Sequence, residues 1–296
     1  MPPYVLRTAL LGARCASRSR LLQLQKRHTY RLLSTLPCFS LEGKTCIGDA
    51  SQGLGKEMLT AFACSGAHGA VVDLSLTSAN ASIKEINAEV QQSANLPAAN
   101  LRGYECDTGN EAAVKATFKR IVDDFGTVDV LVTNAGITGG APAEDYPFED
   151  WQKMLQVNLN GTFLFAREAG KFMIEKGVKG SIIMISSMSG TIVNRPQKQS
   201  AYNTSKAATA HLMKSLAAEW APHGIRVNCL APGYIQTTVN EGAEMEKLSK
   251  EWIPHIPLAR IAKPEEFRGT AVYMASDASS YLTGAQIIVD GGYTIL

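Results

Sequence analysis

From residue 44 onward, short apolar runs rich in β-branched residues alternate with longer segments whose apolar residues recur at helical spacing. The runs predict seven strands, at residues 44–48, 69–74, 100–106, 128–133, 180–186, 225–230 and 285–289. The segments between them predict helices at about residues 55–66, 77–92, 110–125, 149–176, 201–222 and 264–276. This alternation predicts right-handed βαβ units, and hence a single α/β domain with a doubly wound parallel sheet and helices on both faces.

The segment 234–263 interrupts this alternation between the sixth and seventh predicted strands. It is rich in Glu, Met, Trp and Pro and does not continue the strand–helix pattern. Insertions at such positions often cover a ligand-binding cleft. We therefore predict a substrate lid at about residues 234–263.

The distribution of charge separates the first 40 residues from the remainder of the chain. Residues 1–41 contain seven of the 29 Lys and Arg residues, whereas all 27 Asp and Glu residues follow. A basic, acid-free leader is typical of a mitochondrial transit peptide, and a disordered basic tail is the alternative. We therefore predict a targeting or disordered segment at 1–40 and a catalytic domain at 41–296. The protein is expected to be mitochondrial, or otherwise cytoplasmic.

Several classes of function are disfavoured by composition. The acidic balance after residue 41 argues against a nucleic-acid surface, and no apolar stretch is long enough to cross a membrane. The six cysteines form no CxxC pair, and the histidines share no metal-ligand spacing. We therefore expect a small-molecule partner, reduced thiols, no metal site, no nucleic acid and no membrane.

The stretch GDASQGLG at 48–55 lies between the first predicted strand and helix. Gly53 and Gly55 would let the backbone approach a pyrophosphate at the helix N-terminus, where Ser51 can add a hydroxyl donor. The second strand ends at Asp73, whose carboxylate could accept ribose hydroxyls and repel a 2′-phosphate, which favours NAD over NADP. A turn or helix cap is the alternative role of Asp73.

Two further polar residues follow predicted strands. Asp107 follows the third strand, where it could bind an adenine amino group or cap the helix that begins near Glu111. Asn134, in the sequence NAG, ends the fourth strand at the sheet edge where ligands bind in open α/β sheets.

The stretch SAYNTSK places Tyr202 and Lys206 four residues apart, on one face of a predicted helix. An ammonium beside a phenol, together with a cationic nicotinamide ring, would lower the phenol pKa. Tyr202 could then exchange a proton with an alcohol or carbonyl oxygen. Ser187 ends the fifth strand and could hold that oxygen, and Asn158 could bind a water that links Lys206 to solvent. Each residue also has a purely structural reading, as a cap or as part of a helix surface.

Several further segments complete a family pattern over residues 40–296. They are LEGK at 41–44, GLG at 53–55, NAG at 134–136, VNLNG at 157–161, ISSMSG at 185–190, RVNCLAPGYIQT at 226–237 and GAQIIVDGG at 284–292. With YNTSK, they resemble the short-chain dehydrogenase/reductase family, which has a Rossmann-type fold. The resemblance implies a catalytic set of Ser187, Tyr202, Lys206 and Asn158.

The same resemblance implies a cofactor site and an assembly. It places near NAD or NADP the residues Leu54, Asp73, Asp107, Asn134, Ile235 and Thr237. Arg167 stands at a position that is basic in some relatives, and the family forms homodimers or homotetramers. The spacing from Ser187 to Tyr202, with IVNRPQ between them, resembles fungal polyol and ketose reductases. The implied substrate is a polyol-like secondary alcohol or its ketone, and a tailoring ketoreductase of secondary metabolism is the alternative.

The first strand departs from the family pattern at Asp49. The family has glycine there, and here one residue fewer precedes that position. Either Gly48 shifts into the turn and Asp49 faces solvent, or Asp49 lies near the pyrophosphate and weakens cofactor binding by charge repulsion. The second outcome would suit a cofactor-binding protein without catalytic activity.

Overall fold

The computed structural model describes residues 36–49, 51–236 and 243–295, without the side chains of 243–246. From Leu41 onward the chain forms one compact unit. The predictions of a targeting segment and of a cofactor contact at Thr237 concern residues outside this description, apart from a short 3-10 turn at Pro37–Phe39.

The described residues contain the seven predicted strands in one parallel sheet. Its order is β3-β2-β1-β4-β5-β6-β7, and every neighbouring pair is parallel. The strands are β1 Thr45–Asp49, β2 His68–Asp73, β3 Leu101–Glu105, β4 Val130–Thr133, β5 Ser181–Ile185, β6 Arg226–Pro232 and β7 Gln286–Val289. The predicted α/β architecture is therefore confirmed.

Helices cover both faces of this sheet. They are α1 Gly53–Cys64, α2 Leu76–Ser93, α3 Glu111–Phe125, α4 Phe148–Leu155, α5 Thr162–Lys176, α6 Ser200–Trp220, α7 Ala243–Trp252 and α8 Arg268–Ala275. Helices α1, α2 and α8 pack against one another. The main core cluster lies on the α3, α5 and α6 side and includes Phe118, Phe165, Met213 and, from the sheet, Leu131 and Ile182. Burial of strands on both faces explains their uninterrupted apolar runs.

One predicted helix is interrupted. The pattern at 149–176 forms α4 and α5, joined by a π-helical turn at Gln156–Gly161. Gly161 packs so closely on Thr108 that an added Cβ would lie 3.0 Å from its Oγ1. Asn158, inside the turn, directs its amide inward to Ile137. Single π turns often mark functional sites because the extra residue redirects side chains.

The strand order determines where a ligand can bind. The chain moves outward from β1 through β2 to β3, then returns to β4 on the other side of β1 and continues to β7. The connections after β1 and β4 therefore leave in opposite directions and open a crevice at the carboxyl ends of these strands. All the predicted site residues that follow strands belong to this edge.

Candidate active site

The structure brings Ser187, Tyr202 and Lys206 to the wall of one cavity. Ser187 follows β5, whereas Tyr202 and Lys206 lie one turn apart near the start of α6. The Ser187 hydroxyl forms a hydrogen bond with the Tyr202 phenol. The Lys206 Nζ lies 5.7 Å from the centroid of the Tyr202 ring and donates to the carbonyl oxygen of Ile185 at 2.9 Å. A hydroxyl, a phenol and an ammonium therefore converge at one point on the crevice.

Asn158 supports this group from behind. Its Oδ1 accepts from the Ile137 N–H at 2.8 Å, and its Nδ2 donates to the Ile137 carbonyl at 3.0 Å. The Nδ2 also donates to Ser205 Oγ on α6 at 3.1 Å. Asn158 thus ties the segment after β4 to α6, while its predicted role in binding a water stays a prediction.

Burial dominates the acid–base properties of the pair. It raises the pKa of Tyr202 above its ordinary value, and the hydrogen bond from Ser187 only partly opposes this. Burial also lowers the pKa of Lys206 to about 8, against the opposing effects of Cys229 and Asp49. We predicted that neighbouring groups would lower the Tyr202 pKa. In the protein without cofactor the pKa is raised instead, because the effect of burial is larger than that of Ser187.

The turn after β1 presents backbone donors at the start of α1. Gly53, the first residue of α1, has a φ of +53°, which side-chain-bearing residues rarely adopt. The residue before it, Gln52, is extended and makes no side-chain bond to the helix N–H groups. Leu54 reaches the cavity wall, and Gly55 is buried in the first turn. A helix N-terminus without a side-chain cap suits a pyrophosphate.

Asp73, at the end of β2, holds this turn in place. Its Oδ2 accepts from the Ser51 N–H at 3.0 Å and from the Ser51 hydroxyl at 2.7 Å. Its Oδ1 accepts from the Ser75 N–H at 3.0 Å. Because Ser51 gives its hydroxyl proton to Asp73, the structure does not direct that proton to a phosphate. The carboxylate of Asp73 stands at the sheet edge where a ribose is expected.

Asp49 does not follow the first predicted outcome. It is the last residue of β1 and is only 2 % exposed, so it does not face solvent. Its Oδ1 accepts from the backbone N–H groups of Asn134 and Ala135 after β4. The carboxylate is therefore turned toward β4, where these two amides hold it. Its effect on cofactor binding stays a prediction.

The cavity has a volume of about 1030 Å³. Predicted residues on its wall are Leu54, Asn134, Ser187, Tyr202, Lys206 and Ile235. The described part of the predicted lid also contributes, because the rings of Tyr234 and Trp252 stack at 4.0 Å and both line the cavity.

These features fit a dinucleotide. The crevice at the carboxyl ends of β1 and β4 offers an uncapped helix N-terminus at one end and the Asp73 carboxylate at the edge of β2. Gly136 lies beside Lys206 on the cavity wall, since an added Cβ would lie 3.5 Å from Lys206 Nζ, an ordinary contact distance. When bound, a nicotinamide would supply a hydride acceptor or donor beside Tyr202.

Comparison with known proteins decides the family. A family model described as enoyl-(acyl carrier protein) reductase matches residues 48–294. A short-chain type dehydrogenase/reductase from Mycobacterium marinum has a similar structure, with a TM-score of 0.83 and 39% identity over 89% of this chain and 100% of that one. The chain belongs to the short-chain dehydrogenase/reductase family. It is an NAD(P)-dependent oxidoreductase acting on CH–OH groups.

Curated relatives of this dehydrogenase/reductase carry sugar-related names. A D-arabinitol 2-dehydrogenase of Candida tropicalis is 40% identical, covering 87% of this chain and 95% of its own. An NADH-dependent L-xylulose reductase of Ambrosiozyma monospora is 38% identical, covering 88% and 98%. An NADP-dependent mannitol dehydrogenase of Alternaria alternata is 38% identical, covering 87% and 94%.

Five predicted cofactor residues of this dehydrogenase/reductase in the described part of the chain do not line the cavity: Ser51, Gly55, Asp73, Asp107 and Arg167. Arg167 on α5 pairs with Glu111 and Glu168, both at 2.9 Å, and lies over the Phe163 ring. Asp107 accepts from the Gly109 N–H at 2.9 Å, and it is Asn110 that caps α3. A contact of any of the five with the cofactor stays a prediction.

Some residues that line the cavity of this dehydrogenase/reductase were not predicted from the sequence as site residues. They are Ser189, Asn194, Gln197 and Gln199, from the segment between β5 and α6. Only the stretch IVNRPQ, used for the resemblance to polyol reductases, pointed to this segment.

In the part of the chain that is described, no cluster of His, Cys, Asp and Glu residues could hold a metal ion, and no helix is long and apolar enough to span a membrane.

Proposed function

We propose that the chain interconverts a polyol-like secondary alcohol and its ketone, with Tyr202 as the acid and base. The observation that carries the proposal is the convergence of Ser187, Tyr202 and Lys206 on one cavity. The phenol forms a hydrogen bond with Ser187 and lies beneath the Lys206 ammonium. A substrate oxygen placed between the two side chains could form hydrogen bonds with both the Ser187 hydroxyl and the Tyr202 phenol. Tyr202 could also take its proton.

In the direction of oxidation, the Tyr202 phenolate takes the substrate O–H proton, and a bound NAD or NADP would supply the acceptor for the hydride that the C–H bond releases. The C–O bond becomes a carbonyl, so atoms and charge balance. Ser187 donates a hydrogen bond to the reacting oxygen and fixes its position. The Lys206 ammonium stabilises the phenolate electrostatically, and reduction follows the reverse course.

The cavity wall supports a polyhydroxylated substrate. Beyond the reacting group, the wall carries the amides of Asn194, Gln197 and Gln199 and the hydroxyl of Ser189. Amides and hydroxyls both donate and accept, as neighbouring hydroxyls of a polyol require. The names of the curated relatives point in the same direction, since they concern arabinitol, xylulose and mannitol.

We also propose that NAD is preferred to NADP. The support is the Asp73 carboxylate at the end of β2, which would repel a 2′-phosphate at the ribose. The relatives include both NADH-dependent and NADP-dependent enzymes. The choice therefore rests on this one charge.

The decisive experiment replaces the proton-transferring group alone. Tyr202→Phe removes the phenol oxygen and keeps the ring, so cofactor binding should persist while kcat falls by about 10²- to 10⁴-fold. Binding is followed by NADH fluorescence and kcat by absorbance. Tyr281→Phe is the matched control, because Tyr281 is fully exposed and should leave both quantities unchanged.

A substrate screen tests the polyol assignment separately. Wild-type protein is assayed with C5 and C6 polyols, their ketoses, simple secondary alcohols and larger apolar ketones, each with NAD(H) and NADP(H). Activity confined to apolar ketones would favour the tailoring ketoreductase. Cofactor binding without turnover of any substrate would favour a non-catalytic protein, and undiminished turnover in Tyr202→Phe would contradict the mechanism.

We also propose a mitochondrial location and a homo-oligomeric assembly. The basic, acid-free segment at 1–41 supports mitochondrial import, which a reporter fused to residues 1–41 would test in cells. Exposed Phe148 on α4 and Phe163 on α5 support a homodimer or homotetramer. Light scattering would measure the subunit number.

A further inference from the structure

Asp49 is a buried carboxylate at the carboxyl edge of the sheet for which the proposed mechanism has no use. It ends β1 beside Val72 of β2, and β4 lies on its other side. Buried carboxylates are unusual unless they are paired or hydrogen-bonded. The partners of Asp49 therefore show what it does.

Those partners lie on the segment that passes beneath the catalytic lysine. Asp49 Oδ1 accepts the N–H groups of Asn134 and Ala135, at one end of segment 134–137. Asn158 holds Ile137, at the other end, through two hydrogen bonds. Gly136, between these ends, lies against both residues: an added Cβ would be in ordinary contact with Lys206 Nζ, at 3.5 Å, and would crowd Asn158 Oδ1, at 3.3 Å.

We propose that Asp49 is a positioning residue of the active site: its carboxylate fixes segment 134–137 against Lys206, and its negative charge supports the protonated state of that lysine. The proposal deepens the proposed function and rests on it. Asp49 acts on the reaction only through Lys206 and this segment.

Electrostatics agrees with the geometry. Burial raises the pKa of Asp49 to about 7, and the opposite charge of Lys206 counters that rise. Burial lowers the pKa of Lys206 to about 8, and Asp49 counters that fall. The other titratable groups near this pair are the Tyr202 phenol, beneath Lys206, and the thiols of Cys106, near Asp49, and Cys229, near Lys206. Burial raises the pKa of the phenol and of both thiols, which leaves them neutral in the protein without cofactor, so Asp49 and Lys206 carry the charge there.

The two functions of Asp49 can be separated by mutation. Both amide bonds go to Oδ1, so a side chain that retains this oxygen can retain both bonds without a charge. Asp49→Asn is such a change. Asp49→Ser is a second neutral variant, with a smaller side chain that can still accept an N–H, for use if the asparagine does not fold. Asp123→Asn is the control, since it removes an exposed carboxylate on α3.

The first measurement is the pH dependence of kcat/KM. Without the charge of Asp49, Lys206 should lose its proton more readily, so the alkaline limb should move to lower pH by about half a unit, a threefold change in the ionisation constant. Asp123→Asn should leave the limb in place. A limb that does not move in a folded neutral variant overturns the proposal, even if that variant is less active or less stable.

The second measurement needs no activity. Because the folded-state pKa of Asp49, about 7, is above its ordinary value, wild-type stability should be lost as pH rises through 7. The melting temperature of Asp49→Asn relative to wild type should therefore rise between pH 6 and pH 8.5. A constant difference together with an unmoved alkaline limb overturns the proposal, because Asp49 would then carry no charge over this range. A wild type inactive on every alcohol would instead refute the proposed function, and the melting curves would still test the titration of Asp49.

Discussion

The active-site crevice has two ends that follow the family pattern to different degrees. The catalytic end, formed by Ser187, Tyr202 and Lys206, keeps the pattern and brings its side chains to one cavity. The phosphate end, formed by Asp49, Ser51, the start of α1 at Gly53, and Asp73, departs from it. There the side chains bond to protein groups, with Ser51 bound to Asp73 and Asp49 bound to the segment after β4.

The difference follows from the range of the contacts involved. Tyr202 and Lys206 are one turn apart on α6, so helix geometry alone brings them together. Asp49 and Asp73 instead bond residues 85 and 22 positions away, respectively, through neighbouring strands. Contacts of this range can carry the effect of a change at the phosphate end across the sheet edge, as Asp49 does through the segment that faces Lys206.

Of the substitutions that test this comparison of the catalytic end with the phosphate end, one at Lys206 should have the largest effect. Lys206→Met should reduce kcat/KM by about a hundredfold or more, because the phenolate loses its cation. Its folded-state pKa, about 8, lies below the ordinary value, so the buried ammonium lowers stability at pH values below 8. The variant should therefore melt at a higher temperature than wild type at pH 7, while being less active.

The control for this variant is Lys171→Met, which removes an exposed ammonium from α5. It should change neither activity nor the melting temperature measurably. If Lys206→Met lowered both activity and the melting temperature, the ammonium would stabilise the fold. The catalytic end would then depend on contacts between distant parts of the chain, as the phosphate end does.

Most of the fold could be predicted because burial leaves a direct trace in the sequence. β4 and β5 are buried on both faces, so VLVT and SIIMI read as continuous apolar runs. The π turn at 156–161 could not be predicted, because it depends on Gly161 meeting Thr108 and on Asn158 meeting Ile137. Neither contact leaves a periodic signal.

As with the fold, part of the candidate site could be predicted from the sequence and part of it could not. Motif spacing identified Ser187, Tyr202 and Lys206, but the direction of the Tyr202 pKa depends on burial, which no spacing reveals. Asn194 and Gln197 reach the cavity from an irregular segment that only tertiary packing places there. With its side-chain amide oriented to satisfy its neighbours, Gln197 accepts a hydrogen bond from Trp252 Nε1 at 2.8 Å. This contact joins the irregular segment to the predicted lid.

A smaller effect is expected at Asp73, at the phosphate end. Asp73→Asn removes the negative charge, so the preference for NAD over NADP should fall by about tenfold, or ~1.4 kcal/mol. Initial rates with both cofactors give the ratio of kcat/KM, and Asp123→Asn is the control for charge. A preference that does not change would mean that Asp73 acts only as the anchor of Ser51.

The smallest effect is expected at Arg167, which lies on α5. Its guanidinium is held by Glu111 and Glu168 and is partly exposed. Arg167→Met should therefore leave the Kd for NADH within about twofold of wild type, and should lower the free energy of unfolding by less than about 1 kcal/mol, as is usual for exposed ion pairs. Fluorescence titration and urea unfolding measure the two quantities, and Lys171→Met is the matched control on the same helix. A Kd weakened more than tenfold in Arg167→Met alone would show that the guanidinium leaves its carboxylates to bind the cofactor. The crevice would then extend to the surface that the ion pairs cover, and the phosphate end would include a cationic contact from α5 as well as the carboxylates of Asp49 and Asp73.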